Sequence, residues 1–436
     1  MTTRKKASAT DFGKFPRGVE VVEQPMSLKE VTFVGGKDMP GHRWYKLRPS
    51  FSPLLVESIY ESNGKNAKLI VDPYSGAGTT VLTSKAMGVE SYGIELNPFL
   101  AALTQRATDW SCSPDELDLA HQSLKKRLRA VRRKTESLDL EATEKKLGVL
   151  RPVIHNVLRW WRPDVLASLL KLKFVLRELD PESLEHRVAW IVLSTVCIDV
   201  ANIKRMHPTL SFFDRSGELI ETDRLIDEKL EVVVQDLKQV YSPRSTPAVV
   251  VQGDSSDPSS YRRFRSPVAL ITSPPYANRY SYVWETRPHL FMMDLIQHAR
   301  ESGDLDMRAP GGTWGMATST LEKGLIPPNF DSIDQILGTS LRALDEKSML
   351  MANYVRRYFN MMGDQLMTVG KALPSGSTVS YVVGNSRISG EEIDTQGCLA
   401  HLMKESQLFE PTQVVVFRRR IGRRDLFEVT VVADVL

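Results

Sequence analysis

The stretch with the most chemical content is Ile271-Thr272-Ser273-Pro274-Pro275-Tyr276. It offers a small hydroxyl, a stiff backbone with carbonyls free to accept, and an aromatic ring. Such a set suits a planar base: the ring stacks on it, and the oxygens accept hydrogen bonds from its amino group. A proline-rich turn after a strand is the plainer reading of the same residues. A second stretch, Asp72-Pro73-Tyr74-Ser75-Gly76-Ala77-Gly78-Thr79-Thr80, has glycines that let a backbone pass close to a ligand. The helix start that follows favours electronegative atoms. Further on, Glu95 is placed to accept both hydroxyls of a ribose. The third glycine of the dinucleotide fingerprint is missing, since Val81 stands there. That weakens the case for a pyrophosphate-bearing cofactor, and so for a nicotinamide-dependent dehydrogenase. It leaves a nucleoside-type cofactor open.

Both stretches need strands to hold them. Val268-Ala269-Leu270-Ile271 predicts a buried strand that the prolines stop. Ala67-Lys68-Leu69-Ile70-Val71 predicts another, followed by a helix through Met87 that Gly88 ends. Glu90-Ser91-Tyr92-Gly93-Ile94 leads to Glu95, and Ala248-Val249-Val250-Val251-Gln252 leads to Asp254. Thr378-Val379-Ser380-Tyr381-Val382-Val383 predicts a fifth strand. Asp72, Glu95, Asp254 and Ser273 then fall on one edge of an open α/β sheet, where ligands sit. Any one of these acids could equally be a helix cap. Ser52 and Pro53 predict the start of an early helix. Residues 340–369 read as helix, and 298–335 as loop with Gly311-Gly312-Thr313-Trp314-Gly315 as a substrate-covering candidate. In the tail, 412–417 and 426–432 read as strands joined by Arg418-Arg419-Arg420 and Arg423-Arg424, a basic hairpin.

Three regions result. Residues 1–41 read as a loosely packed N-terminal arm, and 42–104 with 246–436 form the sheet-bearing core. Residues 105–245 are a helical insertion far longer than an ordinary connection, hence a subdomain. Its first helix carries Lys125, Lys126, Arg127, Arg129, Arg132, Arg133 and Lys134, either a solvated face or a phosphate contact. Trp160 and Trp161 read as packing or as base-stacking groups, and 188–200 as a buried helix. Arg205 and His207 read as a basic helix end or as substrate contacts.

The 436 residues are 42% hydrophobic and 25% charged, an ordinary globular composition. No apolar run is long enough to span a bilayer, and no apolar segment follows the basic Met1-Thr2-Thr3-Arg4-Lys5-Lys6. Cys112, Cys197 and Cys398 lie too far apart for metal-ligand spacing or a disulfide framework. A cytoplasmic, nucleoid-associated protein is expected. A net charge of +4 permits a polyanionic partner without demanding one.

Taken together, the 72–80 and 272–276 stretches resemble the cofactor and catalytic loops of the S-adenosylmethionine-dependent DNA amino-methyltransferases. Phe51-Ser52-Pro53 resembles a further cofactor motif of that family, and Glu95 and Asp254 its two acids. Serine at the first catalytic position is most typical of the cytosine-N4 enzymes, whereas adenine-N6 enzymes more often carry Asp or Asn. The resemblance covers the core but not the insertion, whose position departs from the usual layouts. It implies a Rossmann-like class I sheet, mostly parallel with an antiparallel C-terminal hairpin. It implies S-adenosylmethionine as cofactor, held by Phe51, Ser52, Asp72, Tyr74, Gly76, Gly78, Thr79, Glu95 and Asp254. Catalysis would fall to Ser273, Pro274, Pro275 and Tyr276 on a cytosine extruded from double-stranded DNA, with no metal. The insertion would be a DNA-contact or target-recognition subdomain. A homodimer or a paired restriction endonuclease stays open as partner. Adenine-N6 methylation, RNA base methylation and non-catalytic DNA binding remain as rival readings.

Overall fold

The computed structural model describes residues 4–45, 47, 50–204, 210–278, 280–312, 316–420 and 423–436. The segments holding Arg205, His207 and 313–315 lie outside the described residues.

A nine-stranded sheet organises the chain. Numbered in chain order its strands are β1 (Lys5–Lys6), β2 (Glu20–Glu23), β3 (Leu69–Asp72), β4 (Glu90–Glu95) and β5 (Ala248–Gln252), then β6 (Ala269–Thr272), β7 (Thr378–Gly384), β8 (Phe409–Arg420) and β9 (Arg423–Val435). Across the sheet the order is β1-β2-β8-β9-β7-β6-β3-β4-β5. The five strands from β7 to β5 are all parallel. Strand β9 inserts antiparallel between β7 and β8. This is the expected open, mostly parallel sheet with an antiparallel C-terminal hairpin.

Alternation along the strands explains why both faces are covered. Val71 and Leu270 join the core on one face, Ile70, Ala269 and Ile271 that on the other. The first face is closed by three helices, Asp331–Lys347, Met349–Ala372 and Thr395–Glu405. The second receives α1 (Pro53–Ile59), where Ser52 accepts from Leu54 N at 3.2 Å as the N-cap and Pro53 takes the first position.

Helices α2 (Thr79–Ala86) and α3 (Pro98–Ala107) follow β3 and β4. Five longer helices then intervene before β5: Pro114–Lys134, Leu140–Leu147, Pro163–Arg177, Leu184–Asp199 and Thr222–Val240. They bury Trp160, Trp161 and nearly all of the Leu184–Asp199 helix. Their core is continuous with Phe99 and Leu103 of α3 and with Leu290 of α4 (Tyr282–Met292), the helix after the Ser273–Tyr276 loop. Asp236, fully buried, ties the last of these helices to Arg43 and, at 2.7 Å, to the Trp44 indole. On the first of them Arg132 bridges to Asp227 at 2.8 Å, while Lys126, Arg127, Arg129, Arg133 and Lys134 are exposed.

Three expectations are corrected. The N-terminal segment is not a loose lead-in: β2 pairs parallel with β8, Val21 opposite Val414, and Phe12 is buried. Two valines are too short a period to announce that strand, which owes its existence to its partner. Residues 298–335 are not loop throughout, since α5 (Ala299–Arg308) forms there and another helix begins at Asp331. The 340–369 helix is part of two, Asp331–Lys347 and Met349–Ala372, broken at the extended Ser348. At the expected basic hairpin, Arg418 faces Glu428 at 3.6 Å and Arg419 lies over the Phe12 ring at 4.8 Å. Among the described residues no helix is long and apolar enough to cross a membrane.

Candidate active site

Strands β3 and β6 lie side by side, with Ile70 opposite Ala269 and Val71 opposite Leu270. The chain winds from β3 outward through β4 and β5, and from β6 outward the other way through β7. The crevice beyond their carboxyl ends is therefore the switch point of the sheet. A cleft of about 890 Å³ opens there. The loop after β3 gives it Tyr74, Gly76 and Thr79, and the loop after β4 gives Glu95. Asp254 comes from beyond β5, Ser273 and Pro275 from beyond β6, and Phe51 from the segment before α1.

Glu95 sits at the centre of the hydrogen bonding. Its Oε2 accepts from Gly76 N at 2.7 Å and its Oε1 from Asn97 N at 2.7 Å. Burial pushes its carboxyl up to about 7, against the pull of those backbone donors. Each oxygen still has a lone pair for a ligand hydroxyl. Asp254 Oδ1 accepts from Ser256 N at 3.0 Å and Ser256 Oγ at 2.7 Å, and Oδ2 faces Arg308 Nε at 3.4 Å. Ser75 lines the cleft with a buried hydroxyl that has no hydrogen-bond partner among the described residues.

Some expected contact residues serve the frame instead. Asp72 is buried away from the cleft, accepting from Thr272 Oγ1 at 2.6 Å and Tyr74 N at 3.0 Å. Ser52 is fully buried and donates to the Lys29 carbonyl at 2.9 Å. Gly78, at φ +87°, packs on α3, where an added Cβ would come within 2.5 Å of Thr104 Cγ2. Of the two glycines of this turn, Gly76, at φ +54°, is the one that lines the cleft.

The Ser273-Pro274-Pro275-Tyr276 loop is held from two sides. The Tyr358 hydroxyl donates to the Pro275 carbonyl at 2.8 Å, and Ser386 Oγ donates to the Ala277 carbonyl at 2.6 Å. Pro274 is buried and Tyr276 half-buried, and neither forms the cleft wall. Gly311 lies against this loop, its Cβ position 3.4 Å from the Tyr276 carbonyl.

Helix α5 supplies what sequence reading missed: Leu305 and Arg308 line the cleft, with Ala309 and Pro310 after them. Ser281, which caps α4 by accepting from Trp284 N, donates to Asp306 and so fastens α5 to α4. The α5 sequence is mostly polar, with too few apolar positions to show a helical period.

No family model matches the chain. Two curated relatives cover much of it. Type II methyltransferase M.BsoBI of Geobacillus stearothermophilus is 25% identical over 61% of this chain and 55% of its own length. Type II methyltransferase M.AvaI of a Nostoc species is 23% identical over 88% of this chain and 82% of its own. Both relatives are thus Type II methyltransferases. The match to M.BsoBI thus spans only about half of that relative. A solved rRNA methyltransferase, aviRa from Streptomyces viridochromogenes, aligns over 88% of this chain and 85% of its own at 10% identity and a TM-score of 0.29.

Proposed function

We propose that the protein methylates the exocyclic N4 of a cytosine turned out of duplex DNA, as the modification enzyme of a restriction or defence system. One observation carries this reading: Ser273 and Pro275 of the SPPY loop line the same cleft as Gly76, Glu95 and Asp254. The residues present fit S-adenosylmethionine. Glu95 suits vicinal ribose hydroxyls, Asp254 an adenine amino group, and the orphaned Ser75 hydroxyl a further polar group. Phe51, Leu47, Leu305 and Pro310 supply apolar wall. When bound, this cofactor would supply an electrophilic methyl group for the exocyclic nitrogen.

The chain's own part is placement and electrostatics. Tyr276 stacks on the everted base, worth about 1–3 kcal/mol against an extrusion cost of a few. The Ser273 hydroxyl and the Pro274 carbonyl accept from the amine and draw its lone pair out of conjugation with the ring. The bonds from Tyr358 and Ser386 fix the loop so that those acceptors need not reorganise. The test is methylation of plasmid DNA by purified protein, followed by mass spectrometry of the nucleosides. N4-methylcytosine is expected. N6-methyladenine would move the assignment to the adenine class, and methyl transfer to structured RNA alone would discard DNA as substrate.

A further inference from the structure

A pair of short strands on the insertion, Ile203–Lys204 with Ser211–Phe212, buries Ile203 and leaves Lys204 exposed. Phe212 packs edge-on against Trp160 at 4.8 Å, and Trp160 meets Trp284 of α4 at 6.3 Å. Backbone bonds lock the arrangement: Asn202 N donates to the Trp160 carbonyl at 2.7 Å, and Phe213 N to the Asn202 carbonyl at 2.9 Å. The β-strand pair is thereby joined to the helix whose first residue, Tyr282, lines the cleft.

Its outer side combines cations with aromatic rings. The Arg159 guanidinium lies 3.9 Å over the Phe212 ring, and the Lys204 ammonium 4.8 Å over that of Phe213. Both cations are exposed, and neither is ion-paired to a described residue. Phe213 is 39% exposed and Leu158 beside Arg159 is 47% exposed. Trp160 is buried below these two cations, which stay exposed on their rings. Phosphate contact by the cations with apolar contact to the sugars or bases accounts for this composition.

The geometry points to this outer side of the β-strand pair as a duplex-DNA contact that seats the strand beside the cleft, with Arg159 and Lys204 on phosphates. The inference rests on the methyltransferase reading above and adds the surface that delivers its substrate. In the full chain, Arg159→Ala/Lys204→Ala should weaken duplex binding by about tenfold or more and reduce the salt slope by about 2. S-adenosylmethionine affinity and melting temperature should stay unchanged, and Arg159→Lys/Lys204→Arg should restore the slope. Independently, a photo-crosslinking benzoyl-phenylalanine in place of Phe213 should capture duplex DNA. Unchanged affinity and slope in a protein that methylates DNA, or no capture at 213, would overturn the contact alone. No methyl transfer to DNA by the unaltered protein would sink the functional reading beneath it.

Discussion

Thr272 donates its hydroxyl to Asp72 across 2.6 Å, joining the tips of the two strands between which the sheet changes its direction of winding. Residue 273 begins the proposed catalytic loop directly after this bond, and residue 73 begins the glycine turn. The bond therefore sets one loop against the other. Thr272→Val keeps the shape but takes from a buried carboxyl one of its donors, leaving Tyr74 N in place. Stability should fall by about 1–3 kcal/mol in chemical denaturation. Methyl transfer should fall more than cofactor affinity does, and equal losses in both would argue that the bond serves the fold alone.

Ser273 and Tyr276 act on the base rather than on the cofactor in the proposed mechanism. Tyr276→Ala should lower kcat/KM by about 10–100-fold, the equivalent of one lost base stack. Ser273→Ala should abolish transfer. Calorimetric affinity for S-adenosylmethionine should survive in both, and wild-type methylation rates in either variant would remove that residue from the mechanism.

Burial raises the folded-state pKa of Glu95 to about 7. A folded protein that holds this proton more tightly than the unfolded chain loses stability as pH rises from the ordinary carboxylate range through about 7. His42, pushed down to about 4 by burial, works the other way below its ordinary value. The Glu95 contribution is therefore read as the difference between wild type and Glu95→Gln. That difference should grow in favour of the variant between pH 5 and about 7. If ribose hydroxyls bind the ionised carboxylate, cofactor binding near pH 6.5 should release a proton, detectable as buffer-dependent heat. Glu95→Gln should abolish the release.

Arg308 holds the open side of Asp254 from a helix that sequence reading did not find. Arg308→Ala should weaken cofactor binding several-fold while leaving the melting temperature within about 1 °C, since exposed ion pairs contribute little stability. An unchanged dissociation constant would leave Arg308 as a bystander at the rim.

Gly78→Ala tests a glycine whose task is packing. The new methyl would meet Thr104 and the backbone would stay at φ +87°. A loss of about 1–3 kcal/mol is expected in denaturation.

How much of this was visible in the amino-acid order follows from range. Strands β3 to β7 announce themselves as apolar runs that stop at proline, glycine or an acid, and all five formed close to where they were read. Glu95 and Asp254 followed from standing just beyond such runs. Features set by distant partners left no local trace. Asp236 looks like an ordinary helix-surface acid until Arg43 and Trp44 reach it. Asp72 reads as a ligand contact until Thr272 arrives, 200 positions later, to claim it. Helix α5 is too polar for a period, and β2 too short.

The pairing of β2 with β8 bears on synthesis. Gln413 reaches Glu20 across 393 positions, at 3.2 Å. A ribosome must deliver the chain through β8 before Val21 and Val22 meet Val414 and Val415. Until then the edge of β2 away from β1 stays raw and able to join a foreign strand. This seam is thus where a nascent copy is most exposed to aggregation.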